Sequence, residues 1–338
     1  MNAPIAAQST ALAASNQALL STLAALHKAC GDELRLEILR VLQHNTFGVL
    51  ELCSLFDVRQ PAMSHHLKVL AKAGLVETQR EGNTIFYRRV AASSESLLDQ
   101  AIHNLYGMID ALDLPPQHQE RLQEILAQRA ELSRAFFARH VEEFRAQQEL
   151  IATYDYYAEP ALDLLLAATP AENASVLEIG PGEGAFLGEL SPRFARVIAL
   201  DNSSELLAQA QSNAAEQGLG NIEFMLGDTA EAVRQGIQVD AIVMNMVLHH
   251  VPAPAAVIED CFRLLSPGGS LVVTDLNRHD QGWVKESCGD LWLGFAPQDL
   301  SLWAGHAGFV EGTSLYIGVR NGFQVQIRQF LKEDLATN

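Results

Sequence analysis

Short apolar runs separated by helical stretches dominate the chain from about residue 151 to residue 338. Five of these runs predict strands: Val176–Ile179, Val197–Leu200, Ile222–Met225, Ala241–Met244 and Leu271–Thr274. The runs are continuously apolar and mostly end in polar or glycine residues, which is typical of a parallel sheet buried on both faces. Ligands of such sheets bind at the carboxyl ends of the strands. The pattern therefore predicts an α/β domain with its site at those ends.

Short helices form a different pattern in about residues 17–92. Apolar spacing predicts helices over Leu34–Leu42, Val49–Cys53 and Arg59–Leu70. In the third helix, Ser64, His65 and Lys68 lie off the apolar face. Side chains placed in this way can meet base edges and phosphates.

A hairpin with basic flanks follows the third helix. Its strands are predicted over Leu75–Thr78 and Ile85–Arg89, and the charged turn Arg80–Asn83 joins them. A glycine in that turn permits a tight reversal of the chain. Positive side chains on such a hairpin can lie against a DNA backbone.

A polar helical region, residues 93–150, connects the two patterns and is interrupted at Pro115–Pro116. Residues 117–150 carry charges of both signs, with apolar residues at helical spacing. We expect an amphipathic helix there that is solvated or contacts a dimer partner. The first 16 residues are rich in Ala and Ser, and we expect a flexible start.

The net charge of −18 is unevenly distributed. Residues 1–92 carry 9 Lys and Arg against 7 Asp and Glu, a net charge of +2, which leaves −20 for the rest of the chain. Acidic surface repels phosphate backbones. Contact with nucleic acid is therefore expected only from the N-terminal quarter.

Four cysteines, Cys30, Cys53, Cys261 and Cys288, are spread along the chain without a CxxC pair. This distribution is typical of reduced thiols rather than a disulfide framework. No apolar run reaches the ~18 residues of a membrane span, and the N-terminus lacks the basic start of a signal peptide. We therefore expect a cytoplasmic protein.

The segment Arg59–Val90, RQPAMSHHLKVLAKAGLVETQREGNTIFYRRV, resembles the recognition helix and wing of the ArsR/SmtB family of winged-helix repressors. The resemblance covers about residues 20–92. It implies a homodimer that binds operator DNA and releases it when an effector binds; a module that only dimerises is the alternative. The DNA-binding residues that it implies are Gln60, Ser64, His65, Lys68, Arg80 and Arg88.

The metal site of arsenic-sensing members of that family does not carry over. Those members have a Cys-x-Cys pair where this chain has Glu51–Leu55, with Cys53 alone. Residues 93–110 show no His/Asp ligand pattern either. We expect no metal site, and an effector that binds elsewhere.

A glycine-rich loop follows the first strand of the C-terminal part, in Val176–Phe186, VLEIGPGEGAF. Gly180, Gly182 and Gly184 let the backbone approach a ligand closely. Their G-x-G-x-G spacing disfavours a nicotinamide cofactor, the alternative ligand, because nicotinamide enzymes use G-x-G-x-x-G. With Glu178 inside the strand, the loop resembles motif I of class I S-adenosylmethionine-dependent methyltransferases.

The resemblance to these methyltransferases spans about residues 150–320 and includes the turn Ser266–Gly269. It implies a site for S-adenosylmethionine or S-adenosylhomocysteine made of these residues: Glu178, Gly180, Gly182, Gly184, Asp201, Asn202, Gly227, Asp228, Thr229, Asn245 and Tyr157. By the resemblance, Asp201 accepts both ribose hydroxyls and Asp228 accepts the adenine amine. Tyr157 covers the cofactor or, alternatively, packs in the core.

Methyl transfer from a sulfonium depends mainly on holding nucleophile, methyl group and leaving sulfur in line. His249 or His250 could take a proton from an acceptor hydroxyl or amine; alternatively, both only pack at the start of the next helix. The acceptor side is expected among Asn245, His249, His250, Asp275, Arg278, His279, Trp283 and Trp292.

Two domains are expected, an α+β winged helix-turn-helix followed by an α/β Rossmann-like class I methyltransferase domain with a mostly parallel seven-stranded sheet. The chain divides into a flexible N-terminus (1–16), an ArsR-like DNA-binding domain (17–92), a helical dimerisation or linker region (93–150) and a methyltransferase domain (151–338).

Three functions fit these domains. The first is a transcriptional regulator whose methyltransferase domain binds S-adenosylmethionine or S-adenosylhomocysteine, and it is the one we favour. The second, compatible with it, is an active methyltransferase of a small molecule whose DNA-binding domain regulates its own operon. A nucleic-acid methyltransferase is disfavoured, because Asn245–Leu248 lacks an Asn/Asp-Pro-Pro-Tyr-like motif.

Overall fold

The chain divides into two units, Met1–Leu126 and Ala127–Asn338, and each unit has its own buried core. The computed structural model describes residues 4–81, 84–90, 96–169, 173–319 and 321–334. Over these ranges, no helix combines the length and apolarity that a membrane crossing requires.

The helices of the first unit are α1 Pro4–Cys30, α2 Glu33–Val41, α3 Val49–Phe56, α4 Gln60–Lys72, α5 Leu97–Asp110 and the start of α6 Pro116–Ile151. Helix α2 begins after Asp32, whose carboxylate accepts the backbone N–H of Arg35 at 3.1 Å. Helix α4 has Pro61 in its first turn and ends before Gly74, whose φ is +70°. Helices α2, α3 and α4 correspond to the three that the apolar spacing predicts.

Helix α1 begins at Pro4, whereas the sequence suggested a flexible start through residue 16. Alanine has the highest helix propensity of all residues. Once a helix is nucleated, each further residue adds a hydrogen bond at little cost. The Ala-rich composition therefore favours a 27-residue helix over a flexible start.

A small antiparallel sheet in the order β1-β3-β2 completes the described part of the first unit. Its strands are β1 Phe47–Gly48, β2 Val76–Glu81 and β3 Thr84–Arg89. The predicted hairpin is therefore present, but Arg80 and Glu81, expected in its turn, pair within β2. Gly82 and Asn83 lie outside the described residues.

Arg89 ties β3 to two helices. Its guanidinium donates to both carboxylate oxygens of Asp110 in α5, at 2.7 and 2.8 Å, and to the carbonyl of Leu39 in α2. It also lies 4.4 Å from the ring centroid of Tyr106, whose hydroxyl donates to the Leu75 carbonyl at 2.6 Å. This basic side chain of the hairpin is thus part of the structural core.

The second unit is built on a sheet that, over the described residues, has seven strands in the order β6-β5-β4-β7-β8-β10-β9. The strands are β4 Ser175–Ile179, β5 Arg196–Asp201, β6 Ile222–Leu226, β7 Val239–Asn245, β8 Leu265–Leu276, β9 Val310–Gly318 and β10 Gln324–Leu331. The first five in this order are parallel, whereas β10 is antiparallel to both β8 and β9. The predicted mostly parallel seven-stranded sheet is confirmed.

The order of strands creates a crevice in the middle of the sheet. The chain runs outward from β4 to β5 and β6 and then returns to β7, on the other side of β4. The connections and the edge are covered by α7 Tyr154–Ala168, α8 Leu187–Leu190, α9 Ser204–Glu216, α10 Thr229–Arg234, a 3₁₀ turn Leu248–His250, α11 Pro254–Leu264, α12 Val284–Ser287 and α13 Pro297–Ala307. Ligands of open α/β sheets bind where the strand order reverses, which here is at the carboxyl ends of β4 and β7.

The turn that the sequence suggested at Ser266–Gly269 lies inside β8. The pairing of β7 with β8 skips these residues, so they form a bulge rather than a connection. Gly268, with φ +79°, donates its amide to the carbonyl of Lys332 at 2.9 Å, which attaches the bulge to the end of β10.

The Arg89→Ala substitution should destabilise the first unit by about 2–3 kcal/mol, because it leaves the half-buried Asp110 without its partner. Arg88→Ala is the matched control; it removes a more exposed pair with Glu77 and should cost less than about 1 kcal/mol. The three tryptophans, Trp283, Trp292 and Trp303, all lie in the second unit. In Arg89→Ala, the denaturation midpoint followed by circular dichroism should therefore shift, whereas the midpoint followed by tryptophan fluorescence should not change. Equal effects of Arg89→Ala and Arg88→Ala would contradict the structural role of Arg89.

Candidate cofactor site and nucleic-acid interface

The loop after β4 has a backbone that only glycine adopts easily. Gly180, Gly182 and Gly184 have φ values of +67°, +56° and +83°. A Cβ at Gly180 would lie 2.6 Å from a methyl carbon of Val247, and one at Gly184 would lie 3.2 Å from Ala210. At Gly182 no described atom beyond its chain neighbours lies within 4 Å of such a Cβ, so the loop exposes bare backbone there.

Two carboxylates lie side by side next to this loop. Asp201 ends β5, is 8% exposed and accepts the backbone N–H of Ser203 at 2.8 Å. Burial raises the pKa of Asp201 to about 6, opposed by the N–H groups of Ser203, Asn202 and Gly182. Burial and then the charge of Asp201 raise the pKa of Glu178 to about 8. Neither carboxylate forms an ion pair with a described residue, so burial opposes the ionisation of both, and the charge of Asp201 further opposes that of Glu178.

The end of β6 lies beside Asp201. The amide of Gly227 donates to the Asp201 carbonyl at 2.9 Å, and the exposed Asp228 caps α10 by accepting the N–H of Glu231. Asn202 is exposed next to Asp201. Thr229 is buried, and its hydroxyl donates to Asp260 in α11 at 2.8 Å. The Thr229 hydroxyl is therefore engaged in attaching α10 to α11 rather than directed to the cofactor residues.

Two tyrosines of α7 lie near Glu178. Tyr157, the sequence-based candidate, is buried, and burial together with Glu178 raises its pKa to about 12. Tyr154 packs edge-on against Tyr157 and Phe186, and its buried hydroxyl has no hydrogen-bond partner in the described chain. The sequence alone does not single out Tyr154, although the i, i+3 spacing from Tyr157 puts both on one helix face, whereas Tyr156 is 47% exposed.

Asn245 ends β7 directly across the crevice from the glycine loop, one residue beyond the pair Ile179–Met244. Both amide atoms of Asn245 are buried, and neither has a hydrogen-bond partner in the part of the chain that the structure describes. The next residue, Met246, has a φ of +58°, which is rare outside glycine. Its N–H donates to the carbonyl of Thr274 at 2.8 Å, which fixes this bend of the chain.

The polar atoms left over around the crevice fit a cofactor that carries an ammonium group and hydroxyls. Glu178 Oε2, the Tyr154 hydroxyl and the Asn245 amide are buried without partners among the described residues. A buried polar group without a partner costs about 1–3 kcal/mol, so a ligand that satisfies several of them gains affinity. The ionised Asp201 favours a cationic portion of such a ligand, and a cation bound beside Glu178 would favour the ionised form of Glu178.

His249 and His250 form the 3₁₀ turn that follows β7, and both are buried. His249 Nδ1 lies 2.8 Å from Asp275 Oδ1, and its backbone N–H donates to the other oxygen of Asp275. Burial alone would lower the pKa of His249, but Asp275 and Asp290 raise it above its ordinary value. Burial and the neighbouring His249 lower the pKa of His250. The arrangement thus favours a charged imidazole at His249 and a neutral imidazole at His250. A charged His249 cannot accept a proton.

The remaining acceptor-side candidates are spread more widely. Trp292 is buried, and its indole N–H donates to the carbonyl of Val251 at 2.8 Å. Trp283 is 39% exposed, Arg278 is exposed, and His279 packs on Phe323. The structure therefore brings Asp275 to the histidine pair but gives Trp292 a packing role.

The candidate DNA-binding side chains of α4 share an exposed surface. Gln60, Ser64, His65 and Lys68 are exposed, whereas the apolar face of the helix is fully buried in the core. Positions 60, 64 and 68 are four residues apart and so form one row along the helix. The row is available to a groove of DNA.

Arg80 and Arg88 lie on opposite faces of the hairpin. Arg80 pairs across the strands with Ile85, and Arg88 pairs with Glu77, an odd number of residues away along β2. Arg80 is exposed, whereas the Arg88 guanidinium lies 2.7 Å from the Glu77 carboxylate. The two arginines that the resemblance grouped together therefore do not present one continuous basic surface.

Two segments of the chain match known families. Residues 31–79 match a helix-turn-helix domain, and residues 176–269 match a methyltransferase domain. The chain joins a helix-turn-helix domain to a methyltransferase domain. This result confirms both sequence-based resemblances at the level of the fold. The methyltransferase match runs from the glycine loop to the bulge in β8, and the helix-turn-helix match includes all of α4.

The methyltransferase domain is similar to curated enzymes named Ubiquinone biosynthesis O-methyltransferase. The enzyme of Xylella fastidiosa (strain 9a5c) is 34% identical over 118 residues, 35% of this chain and 48% of that protein. The enzyme of Parvibaculum lavamentivorans is 35% identical over 113 residues, 33% of this chain and 44% of that protein. The chain thus spans about half the length of the curated relatives it matches. A solved magnesium protoporphyrin IX methyltransferase from Synechocystis PCC 6803 has a TM-score of 0.47 and 19% identity, covering 61% of this chain and 100% of its own.

Binding of S-adenosylhomocysteine should weaken as the pH falls below about 6. Hydroxyls donate to the ionised form of Asp201, and its pKa of about 6 in the free protein means that acid removes that form. Calorimetric titrations between pH 5 and 7.5 should show the dissociation constant rising up to about tenfold per pH unit below 6. Asp201→Asn should bind S-adenosylhomocysteine weakly and without this pH dependence, whereas Glu178→Gln should keep the pH dependence. A pH-independent affinity in the unsubstituted protein would contradict this role for Asp201.

Lys68→Ala should lower DNA affinity and reduce the slope of log K against log salt by about 1, because an exposed lysine that contacts phosphate releases a counterion. Arg88→Ala should change the slope less, since Arg88 already pairs with Glu77. Lys28→Ala, an exposed lysine of α1, removes the same charge and should have no effect on the slope. Electrophoretic shifts or anisotropy at several salt concentrations give these slopes; equal slopes for the Lys68 and Lys28 variants would remove Lys68 from the interface.

Proposed function

We propose that this chain is a DNA-binding transcriptional regulator of the ArsR type whose methyltransferase domain binds S-adenosylmethionine or S-adenosylhomocysteine. The observation that carries the proposal is the pair of buried carboxylic groups, Glu178 and Asp201, without an ion-pair partner among the described residues, beside an open glycine loop at the sheet crevice. In the same chain, α4 presents an exposed polar row suited to a DNA groove. The chain therefore combines a ligand site and a DNA-reading element.

In this proposal different residues of the chain bind different portions of the cofactor. Asp201 accepts the ribose hydroxyls, and Asp228, exposed at the end of β6, accepts the adenine amine. Glu178 and the Tyr154 hydroxyl lie at the amino-acid portion, and the bare backbone at Gly182 allows that portion to approach. When bound, S-adenosylmethionine supplies an electrophilic methyl group. Asn245 lies at the boundary between the cofactor and the acceptor.

Turnover is the second candidate function, and it is compatible with the first. The relatives named above are O-methyltransferases, which supports a small molecule with a hydroxyl group as the acceptor. The buried His249–Asp275 pair follows directly after β7, on the acceptor side of Asn245. Holding the acceptor oxygen in line with the methyl group is the main requirement that the chain must meet.

Regulation by the cofactor requires that its binding and DNA binding influence each other. If the ligand changes the affinity for DNA by some factor, DNA must change the affinity for the ligand by the same factor. A homodimer, as in ArsR-type repressors, would place two α4 helices on a two-fold symmetric operator. The strongly acidic remainder of the chain leaves DNA contact to α4 and the hairpin.

The test is a titration of the protein on its own upstream DNA, alone and with saturating S-adenosylmethionine or S-adenosylhomocysteine. The proposal expects a change of at least about fivefold in affinity with one of the ligands. Asp201→Ala should lose that response while keeping the affinity of the ligand-free protein. If the ligand binds but leaves DNA affinity unchanged, the regulatory proposal is wrong.

A parallel assay decides the second candidate. Radiolabelled methyl transfer from S-adenosylmethionine to a panel of small phenols and catechols measures turnover directly. Asp201→Ala should abolish any transfer, whereas Lys68→Ala should leave it intact because Lys68 belongs to the other unit. Ligand-dependent DNA binding without any transfer would leave a sensor as the function of the domain.

A further inference from the structure

Three buried side chains converge next to the end of β7. His249 Nε2 lies 3.9 Å from Asp290 Oδ1. His250 Nδ1 lies 3.8 Å from the same oxygen and 3.4 Å from the carbonyl oxygen of Gly289, a contact that an ion bound at Nδ1 would replace. One ligating atom from each of the three residues lies within 4.8 Å of the others. Metal bonds of about 2.1 Å at tetrahedral angles require ligand separations of about 3.4 Å. The separations of 3.8 and 3.9 Å are about 0.4–0.5 Å wider than this, and the widest of the three is at most 4.8 Å, so the side chains would close on a bound ion.

Asp290 has unmet bonding capacity. It is 3% exposed, and neither of its carboxylate oxygens has a hydrogen-bond partner in the described chain. The charges of His249 and Lys285 act on this carboxylate, but neither residue donates a hydrogen bond to it, and a buried carboxylate without hydrogen bonds is costly. Both imidazoles that face it lie beyond hydrogen-bond distance. A small ion between the three groups would supply the missing contact.

Asp275 orients His249 for this role. It lies 2.8 Å from Nδ1 of the ring, which leaves Nε2, the nitrogen that faces Asp290, as the ligating atom. Metal-bound histidines almost always donate their other ring N–H to a carboxylate or carbonyl group. Asp275 is fully buried and also accepts the backbone N–H groups of His249 and Leu276. The orienting carboxylate is thus itself held in place.

The two segments that carry the ligands are fastened to each other. The backbone carbonyl of His249 accepts the N–H groups of Leu291 and Trp292 at 3.0 and 3.1 Å, directly after Asp290. Gly289, with φ +73°, precedes Asp290, and a Cβ there would lie 2.4 Å from the ring of Phe136. The position of Asp290 against the histidines is therefore set by the fold rather than by a free loop.

We propose that His249, His250 and Asp290 bind a divalent transition-metal ion, with Asp275 holding His249 through its second ring nitrogen. Two imidazoles and one carboxylate suit Zn²⁺, Fe²⁺, Mn²⁺ or Co²⁺, whereas Mg²⁺ and Ca²⁺ prefer all-oxygen ligands. Three protein ligands leave one or more coordination positions open, as in catalytic rather than structural zinc sites. This proposal differs from the expectation drawn from the sequence, which is that the chain binds no metal.

The open position would serve the acceptor side of the domain. His249 and His250 follow Asn245, the last residue of β7, by four and five residues. A metal ion there would bind a hydroxyl oxygen and favour its ionised form. The metal site itself requires neither DNA nor S-adenosylmethionine, so its existence is independent of the function proposed above.

The test uses the full-length protein, freed of metal by a chelator and dialysed. Titration with Co²⁺ should show one equivalent bound per chain, with visible absorption bands of a low-symmetry nitrogen and oxygen site, and Zn²⁺ should displace it. Asp290→Asn and His250→Gln should each weaken Co²⁺ binding at least a hundredfold. Asp275→Asn should weaken it about 10- to 100-fold, because it removes only the group that orients His249.

Two exposed residues of the same unit serve as matched controls, Asp280→Asn and His306→Gln, and both should bind Co²⁺ like the unsubstituted protein. Binding of S-adenosylhomocysteine by each variant shows that the domain remains folded. Saturating Zn²⁺ should also raise the melting temperature of the second unit, read by tryptophan fluorescence, and should not do so in Asp290→Asn. No bound ion in the unsubstituted protein, or binding that survives Asp290→Asn, would overturn the proposal.

Discussion

The ligand site depends on one constraint, the parallel pairing of β4 with β5 on one side and with β7 on the other. Parallel strands end at the same edge of a sheet, so Glu178, Asp201 and Asn245 meet although up to 67 residues separate them in sequence. Because the strand order reverses at β4, a crevice forms between the ends of β4 and β7. The glycine loop can then bend over that space without colliding with Val247.

Most of the architecture could be predicted, because it depends on local patterns. The apolar runs give the strands of the sheet, and the spacing of apolar residues gives α2, α3 and α4. Two local predictions were different from the structure for identifiable reasons. Residues 4–16 join α1 because alanine favours helix, and Ser266–Gly269 remain in β8 because β10 offers the bulge a backbone partner. The sequence shows neither competing effect.

The sequence names individual candidates for the site, but it does not give their contacts. The motifs located Asp201 and the histidine pair, yet they gave no indication that Thr229 bonds to Asp260 or that Arg88 pairs with Glu77. Such pairs join elements that are distant along the chain or depend on strand register. The approach of Asp290 to His249, 41 residues earlier, is of the same kind. A sequence supplies candidates for a site, and only the packing of the elements decides which of them meet.

The bend at Met246 links the hydrophobic core to the geometry of the crevice. A residue other than glycine at φ +58° is strained by about 1–3 kcal/mol. The chain keeps this conformation because the side chain of Met246 packs in the core, where it is only 3% exposed. The apolar packing around Met246 therefore sets the direction in which His249 and His250 leave the sheet. A conservative substitution in this core, such as one that alters the volume available to Met246, would change the orientation of both imidazoles without replacing any polar group. Variation in reactivity among related chains can thus arise from residues that never meet a ligand.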